Sequence, residues 1–465
     1  MTLPCTDADV TTSAGRMALA LAGVGLLWAY FQVFEDTAWL FPLPRGALLA
    51  CVAFLAPLLS ACPPAALINL ENAAGCKVVR WIILAVAVLT SVIVSLLLVL
   101  SGARSSKLAL ALIIIICLAP LTLPAIGIPG RRLLRWVGRN SPVIVVTLCL
   151  FAVAVRAVTF MLYLSTPHLE DIGQTTLDAL NVVLGGHNPY AAPIDYNTPL
   201  SDPMYKGYKY LPVMMAIYAP LGVLWDATGL RVTNLILDML TAGFIAILAA
   251  RIAGWTAGGI AATVYLLMPI VAFDLYRHGV TDLAAVVPML AALTLLDKRP
   301  GWAGLAAGLA LSVKLFPGVL VVACCIPASA WARYGAGVIA GLLPVAFFFA
   351  ASPTDFINNI LWFNAIRPPD STSIAAALPD LVAIVLKGIS LIVLAVIALW
   401  TLRRSVELQH RCAFIVIGSV FALLSGPVCH NNYLLWWLPA FCVLLAGPLA
   451  GLVSRSPLTT RLVQR

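Results

Sequence analysis

The side chains best equipped for chemistry are a few charged and polar groups set among long apolar runs. Glu170 and Asp171 are adjacent carboxylates near the start of the longest polar stretch. A carboxylate there can take a proton from a hydroxyl, and burial beside a like-charged neighbour tunes it upward for that task. Lys314 lies inside an apolar run, three residues before Pro317. A lysine at the centre of a membrane helix costs about 2.5–3.5 kcal/mol on insertion scales, so it normally faces a cavity or a partner. Arg277, His278, Arg367 and His430 are further groups able to receive an anion such as a phosphate. Each group also has a plain structural reading. Acids in a first helical turn suit the helix dipole, a lysine near a helix end snorkels, and a histidine caps a turn. Asp274, Arg277 and Asp282 could pair with one another, and Asp238 and Lys387 read as buried structural partners.

The elements that hold these groups follow from composition. Of 465 residues, 62% are apolar and 10% are Asp, Glu, Lys or Arg, against roughly a quarter charged in an ordinary soluble protein. Mean hydropathy is +1.01 over the whole chain. That excludes a cytosolic enzyme, a secreted globular domain and a disordered chain. The net charge of +9 reads as the cytoplasmic Lys/Arg bias of a multispanning protein rather than a nucleic-acid surface. The eleven cysteines lie mostly within apolar runs and show no CxxC spacing, which suits small core residues. The run from Met17 to Phe34 follows Asp7 and Asp9 and is long enough to stay as a span rather than be cleaved as a signal.

A helix needs about 20 apolar residues to cross the hydrocarbon. Such runs fall at 17–34, 46–62, 79–101, 108–126, 142–164, 230–250, 255–273, 280–297, 332–352, 379–402, 411–428 and 432–453. None alternates in polarity, so the expected class is an all-α polytopic membrane protein of about 12–14 transmembrane or re-entrant helices. Arg131, Arg132, Arg135 and Arg139 place the connection 126–140 on the cytoplasmic side, with Arg403, Arg404 and the tail 454–465. The acid-rich stretch 165–208, the loop 353–378 and the turn 429–432 then lie outside. Two apolar stretches, 209–225 and 301–328, upset this parity if each is one span. Reading the first as interfacial or re-entrant, and the second as two half-helices broken near Lys314, restores it. Such breaks are tolerated at membrane depth only where they line a cavity or are buried in protein.

Within 165–208, Thr166-Pro167 predicts a helix start, and Gly185-Gly186 predicts its left-handed end after Leu184. Then come Gly-Gly-His-Asn-Pro-Tyr at 185–190 and Tyr-Lys-Tyr-Leu-Pro at 208–212. Further on lie Gly-Val-Thr-Asp at 279–282, Leu-Ser-Val-Lys-Leu-Phe-Pro at 311–317, Arg-Pro-Pro-Asp-Ser-Thr-Ser at 367–373, and Ser-Gly-Pro-Val-Cys-His at 425–430. The ordered set resembles the GT-C membrane glycosyltransferases, most closely glycosyltransferase family 87, over about residues 142–453. Val280 departs from the pattern, standing where the family usually has Asn or Gln. The expected division is four N-terminal spans in 1–141, a catalytic module in 142–453 with the outer loop 165–208 carrying a juxtamembrane helix, and the tail.

The resemblance implies transfer of a sugar, mannose first and arabinofuranose second, from a polyprenyl-phosphate donor to a hydroxyl of a glycolipid or envelope glycan. It implies inversion at the extracytoplasmic face of a bacterial plasma membrane. Asp171 is then the base, with Glu170 as runner-up. Lys314, His430, Arg367, Arg277 and His278 are candidates for the donor phosphate. Asn188, Tyr190, Tyr208, Lys209 and Asn431 are candidates for substrate binding. Trp362, Phe363, Trp436 and Trp437 could stack on sugar rings, although aromatic residues near span ends commonly belong to the interface belt. No cofactor and no nucleic-acid partner is expected. A divalent metal stays open, although the outer loop has no Asp-x-Asp cluster. Two rival classes are a flippase or transporter of polyprenyl-linked lipids, which predicts inverted repeats, and a ligase using a lipid diphosphate, which predicts a basic outer loop.

Overall fold

A computed structural model describes residues 130–446, apart from 167–168, 195–206, 368 and 370–372; of 130–142, 144, 269–270, 366, 374, 377 and 431 it describes the backbone alone. The four N-terminal spans, the tail and the end of the run 432–453 lie outside the described residues. The described part is helical, as expected. Its long elements are α1 (Gly130–Tyr163), α2 (Asp171–Leu184), α3 (Pro212–Ala253), α4 (Trp255–Leu266), α5 (Leu283–Leu295), α6 (Pro300–Val313), α7 (Leu315–Cys324), α8 (Trp331–Gly341), α9 (Leu343–Ala351), α10 (Asp380–Arg403), α11 (Leu408–Ser425) and α12 (Leu438–Leu444).

Among the described residues, four helices are long and apolar enough to cross a bilayer. They are Val145–Tyr163 within α1, α3, α10 and α11, and the pair α8–α9, bent by 43°, makes a fifth candidate. The arginine-rich stretch expected as a connection is instead helical from Gly130, continuous with the span that follows. Arginine is a good helix former, and nothing in 131–139 breaks the helix. Helix α10 shows most of its apolar surface, as a lipid-facing helix does, whereas α5 is buried almost throughout.

Helix α3 is not a straight rod. Asp226 leaves the helical region (φ 50°, ψ −128°). The Tyr218 hydroxyl donates to Asn234 Oδ1 at 2.6 Å, although sixteen residues of straight helix would separate them by about 24 Å. Gly229 lies against Leu221 so closely that a β-carbon would collide with its carbonyl. Residues 212–225 therefore fold back on 227–253 as a helical hairpin.

The second irregular stretch also follows expectation. Helix α6 ends at Val313, Lys314 is extended (φ −147°, ψ 125°), and α7 starts at Leu315. Gly318 rests on the backbone of Leu311, so the two half-helices meet at close range. The loop 353–378 is a chain of short helical turns: Pro353–Ile357, the π-helical Asn358–Trp362, Phe363–Ile366 and the 3-10 turn Ile374–Ala377.

A buried ionic network ties the spans together. Arg156 on α1 pairs with Asp238 on α3 at 3.3 Å, both at most 1% exposed. The hydroxyls of Tyr265 and Tyr276 each donate to the Asp238 carboxylate at 2.7 Å. Asp238 is thus the structural partner that the sequence suggested.

Candidate active site

Helix α2 sets the first reactive group. It begins at Asp171, with Glu170 extended at its N-cap (φ −66°, ψ 161°), not at Thr166-Pro167. The reason is tertiary: the Glu170 backbone N–H donates to the His278 carbonyl at 2.7 Å, which holds the chain extended until that point. The other end follows expectation, with Gly186 left-handed (φ 78°) just beyond Leu184. A β-carbon on Gly173 would lie 2.6 Å from the Gly279 carbonyl, and Gly279 itself has φ 70°. The two glycines allow the first turn of α2 to sit directly on the turn that follows Phe273–His278.

That turn is held from beneath. Asn234 Nδ2 donates to the carbonyls of Leu275 (2.9 Å) and Val280 (3.0 Å), and Arg231 Nε donates to the Tyr276 carbonyl at 2.8 Å. It leads into Asp282, fully buried at the N-cap of α5.

Asp171 lines a cavity of roughly 220 Å³, together with Lys209, Tyr210, Lys314, Phe363, Asn364, Arg367, Tyr433 and Trp436. These residues come from 165–211, the α6–α7 break, 353–367 and 431–436. Two of the stretches that the bases placed on one side, 165–208 and 353–378, therefore meet here, with residues 209–211, the Lys314 break and the start of the run 432–453. One carboxylate faces three cations. Burial pushes the Asp171 pKa above the usual carboxylate value, Lys209 and then Arg367 pull it back, and Glu170 adds to the rise. Lys209 is lowered to about 8, first by burial; Asp171 opposes the shift and Arg367 adds to it. The Lys209 ammonium lies 4.4 Å and the Arg367 guanidinium 5.8 Å from the centre of the Phe363 ring, an arrangement that stabilises both cations.

Lys314 occupies an aromatic cage, its ammonium 5.1 Å from the rings of Tyr433 and Trp436 and 5.8 Å from Tyr210. It donates to Asp282 Oδ1 at 2.5 Å. The same carboxylate accepts from Asn432 Nδ2 and Trp436 Nε1, each at 2.6 Å.

Of the expected site residues, Asp171, Lys209, Lys314 and Arg367 converge on the cavity. Glu170 is turned away, bonded to His278 Nδ1 at 2.5 Å, and neither lines the cavity. Arg277 is exposed, its guanidinium 4.5 Å from the Phe273 ring, also off the cavity. His430 sits edge-on to Tyr433 at 5.5 Å, one layer behind the lining. Asn188 closes a turn by accepting from the Tyr190 N–H at 3.0 Å. Tyr190 is buried, packs on Phe356 at 4.7 Å and Tyr208 at 6.0 Å, and its hydroxyl donates to the Tyr210 carbonyl at 2.9 Å. The Tyr208 hydroxyl meets Thr176 at 3.2 Å, and burial raises its pKa far above the ordinary value. Asn188, Tyr190 and Tyr208 thus support the wall that presents Lys209 and Tyr210. The backbone of Asn431 opens the 3-10 turn Asn431–Trp436.

Of the candidate stacking rings, Phe363 and Trp436 line the cavity, Trp437 is buried, and Trp362 is 54% exposed. Sequence reasoning missed Tyr210, Asn364 and Tyr433 in the lining and the part played by Asp282. Among the described residues, no group of three His, Cys, Asp or Glu side chains could hold a metal ion.

Residues 208–427 match the family model of glycosyltransferase family 87. The likeness is to a glycosyltransferase family and spans just under half of the chain. The match bears out the resemblance drawn from the ordered motifs, and it contains Lys209, Lys314 and Arg367, while Asp171 precedes it. No curated protein matches the chain. Two crystal structures of ArnT from Cupriavidus metallidurans are similar, one bound to undecaprenyl phosphate and one in the apo state. Each shows 18% identity, a TM-score of 0.45, and coverage of 68% of this chain. The chain spans 61% of the length of those proteins.

Proposed function

We propose that this glycosyltransferase takes a sugar from a polyprenyl-phosphate donor and passes it, with inversion, to a hydroxyl of a glycolipid or envelope glycan. The observation that carries the reading is the Asp171 carboxylate facing Lys209, Lys314 and Arg367 around a single cavity. Together with Asp282 behind Lys314, these groups sum to three positive and two negative charges. A singly charged sugar phosphodiester balances that sum, whereas a sugar diphosphate exceeds it. Asp171 removes the acceptor hydroxyl's proton as its oxygen bonds to the anomeric carbon. The bond from that carbon to the phosphate oxygen breaks on the opposite face. The electron pair leaves with the phosphate, whose growing charge the cations neutralise. Glu170, held by His278, acts only through its charge. The family resemblance favours mannose over arabinofuranose, and the distribution of arginines favours the extracytoplasmic face of the membrane.

Radiolabelled transfer from defined polyprenyl-phosphate sugars by the purified chain tests this. Asp171→Asn lowers the rate by about 10²–10⁴-fold, the usual contribution of a general base, while Glu170→Gln stays within a few-fold of wild type. Wild-type turnover in Asp171→Asn overturns the assignment of the base. Transfer from a lipid diphosphate sugar alone overturns the donor.

A further inference from the structure

We propose that Asp282 is a positioning residue for the donor: its carboxylate aims the Lys314 ammonium into the cavity and locks the Asn431–Trp436 turn onto the helix break. The inference rests on the reading of this cavity as the donor-phosphate site.

Asp282 does not line the cavity, yet it bonds two segments that do. Its Oδ1 accepts from Lys314 Nζ and from the Trp436 indole, and its Oδ2 accepts from Asn432. Hydrogen bonds to an ionised group are shorter and stronger than neutral ones. Three of them to a fully buried carboxylate over-determine its orientation. The pair is asymmetric: Asp282 is 0% exposed and Lys314 11%. A lysine placed only to neutralise a buried acid would be buried with it. Here one of three N–H donors is spent on Asp282, and Lys314 still lines the cavity. The indole held by Asp282 is also one wall of the lysine's cage. Removing the carboxylate therefore loosens both the cation and the wall that fixes its direction.

The protein supplies no equivalent replacement. An asparagine at 282 keeps one acceptor, but its amide N–H₂ would face the donors of Asn432 or Trp436. The rest of the scaffold is independent of the side chain, because the 273–282 turn is held through backbone carbonyls by Asn234 and Arg231.

The test uses purified full-length protein in detergent. Undecaprenyl phosphate binding is followed by tryptophan fluorescence, and transfer kinetics are measured for Asp282→Asn, Lys314→Met, Asn432→Ala and the double variant Asp282→Asn/Lys314→Met. Expected are a rise of about tenfold or more in donor KM and in the lipid's Kd for Asp282→Asn, with acceptor KM unchanged. Asn432→Ala, which leaves the Lys314 contact in place, gives a smaller rise of about three- to tenfold, because it removes one of the three bonds to Asp282 without freeing the ammonium. The double variant is no worse than Lys314→Met, as expected for residues acting as one unit. Additive losses, equal rises in donor and acceptor KM, or an unchanged donor KM in a folded Asp282→Asn or Asn432→Ala protein would overturn the proposal. Failure of the wild-type chain to bind the lipid phosphate would instead overturn the donor reading itself.

Discussion

The sharpest consequence of the site concerns pH. Lys209 has a pKa lowered from 10.5 to about 8, so its charge is present below that value and lost above it. Asp171 is raised from 3.8, so its basic form is present above the raised value and lost below. Both charges are needed if Lys209 helps to receive the phosphate and Asp171 takes the proton. The plot of kcat/KM against pH for transfer is therefore bell-shaped and reports the free enzyme. The alkaline limb is the decisive one. With a pKa of about 8, about half the protein carries the cation at that pH. One unit higher only about a tenth does, so the rate falls about fivefold across that unit and approaches tenfold per unit beyond it. Replacing Lys209 by arginine keeps the charge at all working pH values and retains a cation over Phe363. In Lys209→Arg the alkaline limb therefore moves beyond pH 10, while the acid limb stays where Asp171 sets it. The assay is radiolabelled transfer at saturating acceptor from pH 5 to 10.5, with protein stability checked at each end. A fall near pH 8 that persists unchanged in Lys209→Arg, or a wild-type profile flat from pH 7 to 9.5, refutes the assignment of Lys209.

Two predictions concern the scaffold. Arg156→Met strands the buried Asp238 carboxylate and destabilises the protein by about 3–5 kcal/mol, read by unfolding in detergent; Arg156→Met/Asp238→Leu recovers part of the loss. Gly173→Ala forces the first turn of α2 off the Gly279 carbonyl, costing about 1–3 kcal/mol. Transfer by that variant falls more than its stability, because Asp171 moves with the turn.

What the sequence made legible was what local physics governs. Apolar length marked the spans, and Lys314 beside Pro317 marked the break, since each signal lies within one helix. The α3 hairpin was not read directly: no residue near Asp226 announces a reversal, and the parity of the arginines suggested only that 209–225 is not a full span. The start of α2 was misjudged because Thr166-Pro167 is a sound local cap, whereas a hydrogen bond to His278, over a hundred residues away, decides where the helix begins. Tyr190 and Tyr208 belong to the motifs on which the resemblance was drawn, and they pack behind the wall rather than in it. A motif shows that a residue is needed without showing whether it touches the substrate. Asp282 was out of reach for a related reason, because its partners lie 32, 150 and 154 residues away.

The irregular backbone itself points to the same place. Helices at membrane depth keep their hydrogen bonds unless protein or a water-filled cavity meets the loss, and π-turns inside helices are frequent at functional sites. Here the π-helical Phe273–His278 delivers Asp282, and the π-helical Asn358–Trp362 delivers Phe363 and Arg367. The extended Lys314 and the 3-10 turn Asn431–Trp436 deliver the caged ammonium and two of its rings. Four separate departures from regular helix, each costly alone, converge on one cavity of roughly 220 Å³. A scaffold serving only to span the bilayer would have no reason to concentrate them. A site that gathers three cations and a carboxylate around one cavity does.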